Sequence, residues 1–321
     1  MAVAVFGLGA AGGGEPLTWV LSSMAPEGSP SAAVLDEVAR TLERAAVGRV
    51  RVRARHGGAL GDEASTLELC QKGRIQMWAG STGAASASVP ALSVLDAPYL
   101  FEDLAAFQRI AGRDVLGGPR MTAHLREHGL AHLGMGFIGW RALSTTRKAI
   151  RRPEDLRGLA LRIQPSPLHR AMWRPLGVRL VEVALPQVVE AFRDQRVEAT
   201  DLPALYIFAA SLADQIHHFT PTRHVLQSAV LFVNRRAFDE LPASAQRTLL
   251  KHRTELVTKA TRVGEMLDDE LVQALAAKGV AVVALTPGEK EAFRRALAPA
   301  HAEALAIGGP AGTEILEAIG R

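Results

Sequence analysis

The sequence predicts an α/β protein built as two lobes with a cleft between them. Three observations predict it. Apolar stretches of strand and helix character alternate along the chain, and its 321 residues suffice for two domains. A helical pattern running from Ala243 to Ala277 is also too long to serve one small domain. There is no internal repeat and no low-complexity linker, so the chain is expected to cross between the halves more than once.

Leu17 to Leu21 reads as the first strand, and Ser31 as the cap of a helix that places Val34, Leu35, Val38 and Leu42 on one face. Arg49 to Arg55 alternates arginine with Val50, Val52 and Ala54. That spacing predicts a strand with one buried face and one solvated arginine face rather than a polyanion site. Gly57 to Gly61 turns the chain, and Asp62 precedes a helix from Glu63 to Lys72. Ile75 to Trp78 reads as a short strand, Gly80 to Ser88 as a small-residue loop, and Ala131 to Phe137 as another strand. A second series then starts near Trp140. Leu159 to Ile163 is a strand, Pro167 to Leu176 a helix closed at Gly177, Val178 to Val183 a strand, and Gln187 to Arg193 a helix.

Thr200 to Pro203 reads as a connection and Tyr206 to Leu212 as a helix. Val225 to Val233 is apolar throughout, as expected of a buried strand returning to the first unit. In the long pattern that follows, Leu249, Leu256, Val263, Leu267 and Leu271 recur at helical spacing. At 1.5 Å per residue it would span roughly 50 Å, which suits a brace across both lobes. Val280 to Ala284 reads as a last strand and Pro287 to Leu297 as the closing helix. The expected division puts residues 15–139 and 228–265 in lobe I, and residues 140–227 and 266–321 in lobe II.

Composition excludes several function classes. Hydrophobic residues at 48% and charged residues at 22% argue for a packed core and against disorder. Aromatics at 5% and a dispersed net charge of +4 argue against a nucleic-acid partner. Only six of the 37 cations are lysine, which points to a compositional preference for arginine. The single cysteine, Cys70, excludes an intrachain disulfide and a multi-cysteine metal site. No apolar run reaches membrane-spanning length.

Met1 to Ala11 is apolar and is followed by Gly12, Gly13 and Gly14, which reads as a signal remnant over residues 1–14 without its charged start. An exported, periplasmic location is the expectation. The same segment imitates a dinucleotide fingerprint, Gly7-x-Gly9-x-x-Gly12. A fingerprint needs a helix opening inside the glycines, which Gly13, Gly14 and Pro16 interrupt. No cofactor is therefore expected.

His124 and His128 stand at i,i+4 without a third ligand nearby, so no metal is expected either. No nucleophile elbow is present and no catalytic residue is assigned. The alternatives to a binding protein are a sensor or scaffold of the same fold, and an enzyme that holds a dinucleotide.

Ordered motifs sharpen this. They begin with Ala25-Pro26-Glu27-Gly28-Ser29-Pro30, Gly58-Ala59-Leu60-Gly61-Asp62-Glu63, Val89-Pro90-x-Leu92 and Ala97-Pro98-Tyr99-Leu100-Phe101. They continue with Gly139-Trp140-Arg141, Pro153-Glu154-Asp155-Leu156-Arg157-Gly158-Leu159 and Leu161-Arg162-Ile163-x-Pro165-Ser166-Pro167. Phe238-Asp239-Glu240-Leu241-Pro242 precedes the long helix. In this order and register the set resembles the solute-binding proteins of TRAP transporters, the DctP type, from about residue 17 to 285. The resemblance implies a class II periplasmic-binding fold and an extracytoplasmic receptor that delivers an organic acid to a membrane permease.

It also implies two arginines at the ligand carboxylate, which fall on Arg141 and Arg162. Guanidinium chemistry fits that role, because its rigid fork of donors matches a carboxylate in bidentate fashion. Gln164 follows on the Arg162 strand. Ser23, Met24, Ser81 and Thr82 stand at strand ends where a cleft would be lined.

Where the family has Gly-x-x-Asp-Gly-x-Glu-Asn-Pro, this chain has Gln195 to Pro203, with Leu202 at the asparagine position. That departure matches a divergent subgroup. With Leu202, Tyr206, Trp140 and Trp78 as apolar walls, it predicts a monocarboxylate with an apolar body rather than a dicarboxylate.

Overall fold

The computed structural model describes residues 15–320; the apolar leader and its glycine fingerprint lie outside the described residues. Eleven strands are assigned among the described residues. They are β1 (Leu17–Ser23), β2 (Val50–Arg55), β3 (Met77–Ser81), β4 (Leu130–Trp140), β5 (Ala142–Thr145), β6 (Ala160–Ile163), β7 (Arg179–Glu182), β8 (Ala199–Leu202), β9 (His218–Thr220), β10 (Leu226–Asn234) and β11 (Ala281–Val282).

They form two sheets, ordered β2-β1-β3-β10-β4 and β11-β9-β5-β8-β6-β7. In the first sheet β1 runs parallel to β2 and β3, while β10 pairs antiparallel with β3 and β4. In the second, β6 pairs parallel with β7 and β8, and β5 pairs antiparallel with β8 and β9. The two-lobed α/β fold is present, and the chain passes between sheets repeatedly. Strand β4 leads through Arg141 into β5, and β9 leads through residues 221–225 into β10.

Local physics accounts for most elements. On β2 the valines and Ala54 turn inward or sit half-buried while Arg51, Arg53 and Arg55 are exposed, as the alternation requires. The first long helix spans Pro30–Ala45, and its cap is Ser29 rather than Ser31. The Ser29 hydroxyl accepts from the Ala32 N–H, and Pro30 occupies the first helical turn, where its missing N–H costs nothing.

The pattern from 243 to 277 is two helices, Ala243–Lys251 and Arg253–Ala277, separated at His252. The second still has 25 residues, about 37 Å of axis, and runs along β4. Glycine explains how closely it does so. A Cβ on Gly264 would stand 2.1 Å from the Phe137 carbonyl oxygen, so the helix rests on the β4 backbone itself.

Three further expectations are corrected. Residues 199–202 are a buried strand in the middle of the second sheet, not a connection, because their backbone pairs with β5 and β6 and the Asp201 carboxylate finds Arg141 and Trp173 inside. β5 and β9, too short to carry a pattern of their own, were also not anticipated. Finally, the chain does not close at Leu297. A helix continues over Ala300–Ile319 with a break at Gly309 before Pro310, and it packs on Pro90–Asp96 and Pro119–Glu127. Glu314 Oε2 accepts from the Met121 N–H at 2.7 Å. This tail therefore covers the first sheet's side and also packs on the Pro167–Trp173 helix of the second lobe, whereas β11 joins the second sheet.

Candidate functional site

The ends of β3, β6 and β8 and the β4–β5 junction converge on a buried polar cluster between the sheets. Arg141 and Arg162 are both almost fully buried, at 0% and 1% exposure. Their surroundings differ.

Arg141 directs all five of its N–H groups at protein acceptors. Nε donates to Asp201 Oδ2 at 3.3 Å and Nη2 to Asp201 Oδ1 at 2.9 Å, with the Asp201 carbonyl as a third partner. Nη1 donates to Gln164 Oε1 at 3.3 Å and to Gln227 Oε1. This guanidinium is saturated. Burial alone would raise the Asp201 carboxyl, but Arg141 and the flanking histidines outweigh it and hold the group well below the usual carboxylate range. Trp173 Nε1 donates to Asp201 Oδ2 at 3.0 Å, and His169 Nδ1 lies 3.3 Å from the same oxygen.

Arg162 is held at one point only. Its Nε donates to the Val183 carbonyl at 2.8 Å, while its buried Nη1 has no partner. No carboxylate lies within ion-pair distance of it among the described residues. Burial lowers its pKa to about 10, which still leaves it charged at neutral pH. A buried, half-satisfied guanidinium is costly unless an anion completes it.

Residues from the two sheets meet around this pair. Gln164 Nε2 and Asp96 Oδ2 both approach His169 Nε2, at 3.3 and 3.0 Å. The Thr82 hydroxyl donates to Asp96 Oδ1 at 2.5 Å, and Ser86 Oγ lies 3.3 Å from Ser166 Oγ. Glu63 is buried beneath the same floor. It accepts from the Ser81 N–H at 2.6 Å, from Ser81 Oγ at 3.0 Å and from the Tyr206 hydroxyl at 3.2 Å. Burial raises its carboxyl, and burial together with the Glu63 charge raises the Tyr206 phenol.

The sequence-predicted residues therefore separate into groups. Arg141, Arg162, Gln164, Ser81 and Thr82 belong to the polar cluster. Ser23, Met24 and Tyr206 line an apolar cavity of about 100 Å³ beside it; the Ser23 hydroxyl also pairs with His56 Nδ1 at 2.8 Å.

Leu202 and Trp78, expected as apolar walls, are packed core instead. Leu202 is 1% exposed within the second lobe's cluster. Trp78 stacks on Phe232 and donates to the Glu63 carbonyl. Trp140 lies elsewhere, on a groove of about 560 Å³ shared with Arg223, Glu265, Asp268 and Asp269. Along that larger groove Arg223, Lys290 and Arg294 are outnumbered by Glu102, Asp103, Glu265, Asp268, Asp269 and Glu291, so its charge disfavours an anion and chemistry favours the Arg162 side.

Asp96, Asp201, His169 and Glu63 were not picked out from the sequence. Their legible signals are the Asp at 201, which occupies the Glu position of the altered family segment, and Glu63, which ends the Gly58–Glu63 motif. Among the described residues no group of three or more His, Cys, Asp or Glu could hold a metal ion, and no helix is long and apolar enough to cross a membrane. The thiol of Cys70 is buried, which pushes its pKa up to about 12.

Comparison with known proteins agrees with this architecture. Residues 21–306 match the model for bacterial extracellular solute-binding protein, family 7 (DctP). A solute-binding protein of Verminephrobacter eiseniae is 29% identical over 286 residues, covering 86% of this chain and 82% of that protein. The 2,3-diketo-L-gulonate-binding periplasmic protein of Escherichia coli is 23% identical, covering 87% and 84%.

Among solved structures, a TRAP periplasmic solute-binding protein of Chromohalobacter salexigens with bound D-glucuronate superposes with a TM-score of 0.85. It has 19% identity and covers 94% of this chain and 99% of its own. One from Pseudomonas aeruginosa with bound L-malate gives 0.80 at 24% identity, covering 90% and 100%. With a two-lobed fold, an interlobe cluster around two buried arginines and a family match across nearly its whole length, the chain belongs to the DctP-type bacterial extracellular solute-binding proteins, family 7.

Proposed function

We propose that this chain is an extracytoplasmic receptor that closes on a small monocarboxylate with an apolar body and presents it to the membrane permease of a TRAP transporter. One observation carries the reading: the buried Nη1 of Arg162 has no partner in the protein. A ligand carboxylate is the group that would complete it, and hydrogen bonds to charged groups contribute roughly 1.5–3 kcal/mol each.

The choice of a single carboxylate follows from Arg141. Its donors are consumed by Asp201, Gln164 and Gln227, which leaves one guanidinium rather than two for the ligand. The apolar body follows from the scarcity of polar groups on the adjoining cavity. Relatives and neighbours bind sugar acids and malate, so this chain's ligand is proposed to share their acid group and to differ in the remainder.

The test is a thermal-shift screen of organic acids followed by calorimetry. A ligand at a hundredfold its Kd should add about 2.7 kcal/mol of stability. Arg162→Ala should weaken binding at least tenfold, whereas Arg179→Ala, at an exposed residue on β7, should not. Equal affinity in both variants would refute the assignment.

A further inference from the structure

The apolar cavity beside the arginine cluster is open, and its shape is specific. It lies over the face of the first sheet, between the Pro30–Ala45 helix and the Arg253–Ala277 helix. Val34, Leu256, Ala260 and Val263 form its walls and Phe137 part of its floor. Its volume of about 100 Å³ compares with roughly 150 Å³ for a dry apolar cavity that takes benzene.

At one end it borders the polar cluster. Tyr206 and Gly80 line that end, the Tyr206 hydroxyl is tied to Glu63 Oε1, and a Cβ on Gly80 would stand 2.8 Å from the same oxygen. Glu63 in turn lies within electrostatic reach of Arg162. Few polar atoms face the space, so water there finds few partners and an apolar group displaces it at little cost.

We propose that this chamber seats the apolar body of the ligand, and that the preferred ligands are monocarboxylates ending in a compact alkyl group of about three to five carbons, a size set by the chamber volume. The inference rests on the proposed reading that Arg162 holds the carboxylate. Tyr206 stands at the junction, with its hydroxyl toward the polar side and its ring toward the chamber. The two helices supply the residues that set length and branching.

The experiment is calorimetric titration with three probes that share one head group: pyruvate, 4-methyl-2-oxopentanoate and 2-oxo-4-phenylbutanoate. Burying a leucine-sized group is worth roughly tenfold to a hundredfold in affinity, so wild type should prefer 4-methyl-2-oxopentanoate to pyruvate by at least about tenfold. Val263→Phe fills the chamber and should abolish that preference. Leu256→Ala enlarges it and should shift preference toward 2-oxo-4-phenylbutanoate; it decides the question alone if the filled variant does not fold.

Arg162→Ala, run in parallel, should weaken all three acids alike. If both chamber variants keep the wild-type ratios while Arg162→Ala loses binding, the chamber assignment falls and the receptor reading stands. If Arg162→Ala binds as wild type does, both fall. Wild type binding D-glucuronate but not 4-methyl-2-oxopentanoate would also overturn the chamber.

Discussion

Arg141 and Arg162 enter the same buried cluster with opposite obligations. Arg141 neutralises Asp201, and each of its donors has an acceptor. Arg141→Gln would leave Asp201 buried without its counter-ion, which typically costs 3–5 kcal/mol. Arg162 has one bond, to Val183, and an unpartnered Nη1. Arg162→Gln removes a desolvated charge and should change the stability of the unliganded protein by less than about 1 kcal/mol. Urea unfolding at pH 7.5 separates the two, and equal losses would mean that Arg162 serves structure.

Asp268 supplies a second prediction at this scale. Burial raises its carboxyl to about 6, although the Trp140 N–H bonds it at 3.2 Å. Between about pH 4 and 6 the folded state then holds a proton that the unfolded state has released. This group therefore costs stability as pH rises through that window, by roughly 2–3 kcal/mol in all, with no further change above it. Asp268→Asn should be more stable than wild type at pH 7 and nearly equal to it at pH 4, as read from unfolding midpoints at the two pH values.

At the level of elements, the long helix and β4 form the main seam of the molecule. Mid-helix Gly→Ala usually stabilises by about 1 kcal/mol. At Gly264 the new Cβ would press on the Phe137 carbonyl oxygen, so Gly264→Ala should instead destabilise by about 2–4 kcal/mol as the helix is pushed off the strand. A higher urea midpoint for that variant would contradict the packing.

Elements with a strong period were legible: the alternating β2, the apolar β10, and the helix that closes at Gly177 in left-handed conformation. β8 was missed because Ala-Thr-Asp-Leu carries no hydrophobic run, and its buried Asp201 is satisfied only by partners far away in sequence. The last helix was missed because Gly308-Gly309-Pro310 reads as a terminator, yet the chain resumes helical geometry after a single kink.

Across the whole molecule, the lobes are joined by polar contacts that no single segment could reveal. Asp96 meets His169, Ser86 meets Ser166, and Glu63 meets Tyr206, each pair bringing together the two sides of the cleft. Gly83 lets them meet, since a Cβ there would stand 1.8 Å from Gln164 Nε2. The arginine pair was legible because its flanking motifs are local. The split between a saturated and an unsatisfied guanidinium was not, because it depends on Asp201, Gln227 and Val183 folding around them. Under the proposed receptor reading, the solute would supply the missing partner of Arg162 on the second lobe's strand β6 as the lobes close.

The most direct measurement is a crystal structure of the protein with a bound organic acid, retained from expression or added. A carboxylate oxygen should lie about 2.7–2.9 Å from Arg162 Nη1, with Arg141 still bonded to Asp201. A ligand whose carboxylate lies elsewhere, or an Arg162 turned to a protein carboxylate with the acid bound, would contradict the account.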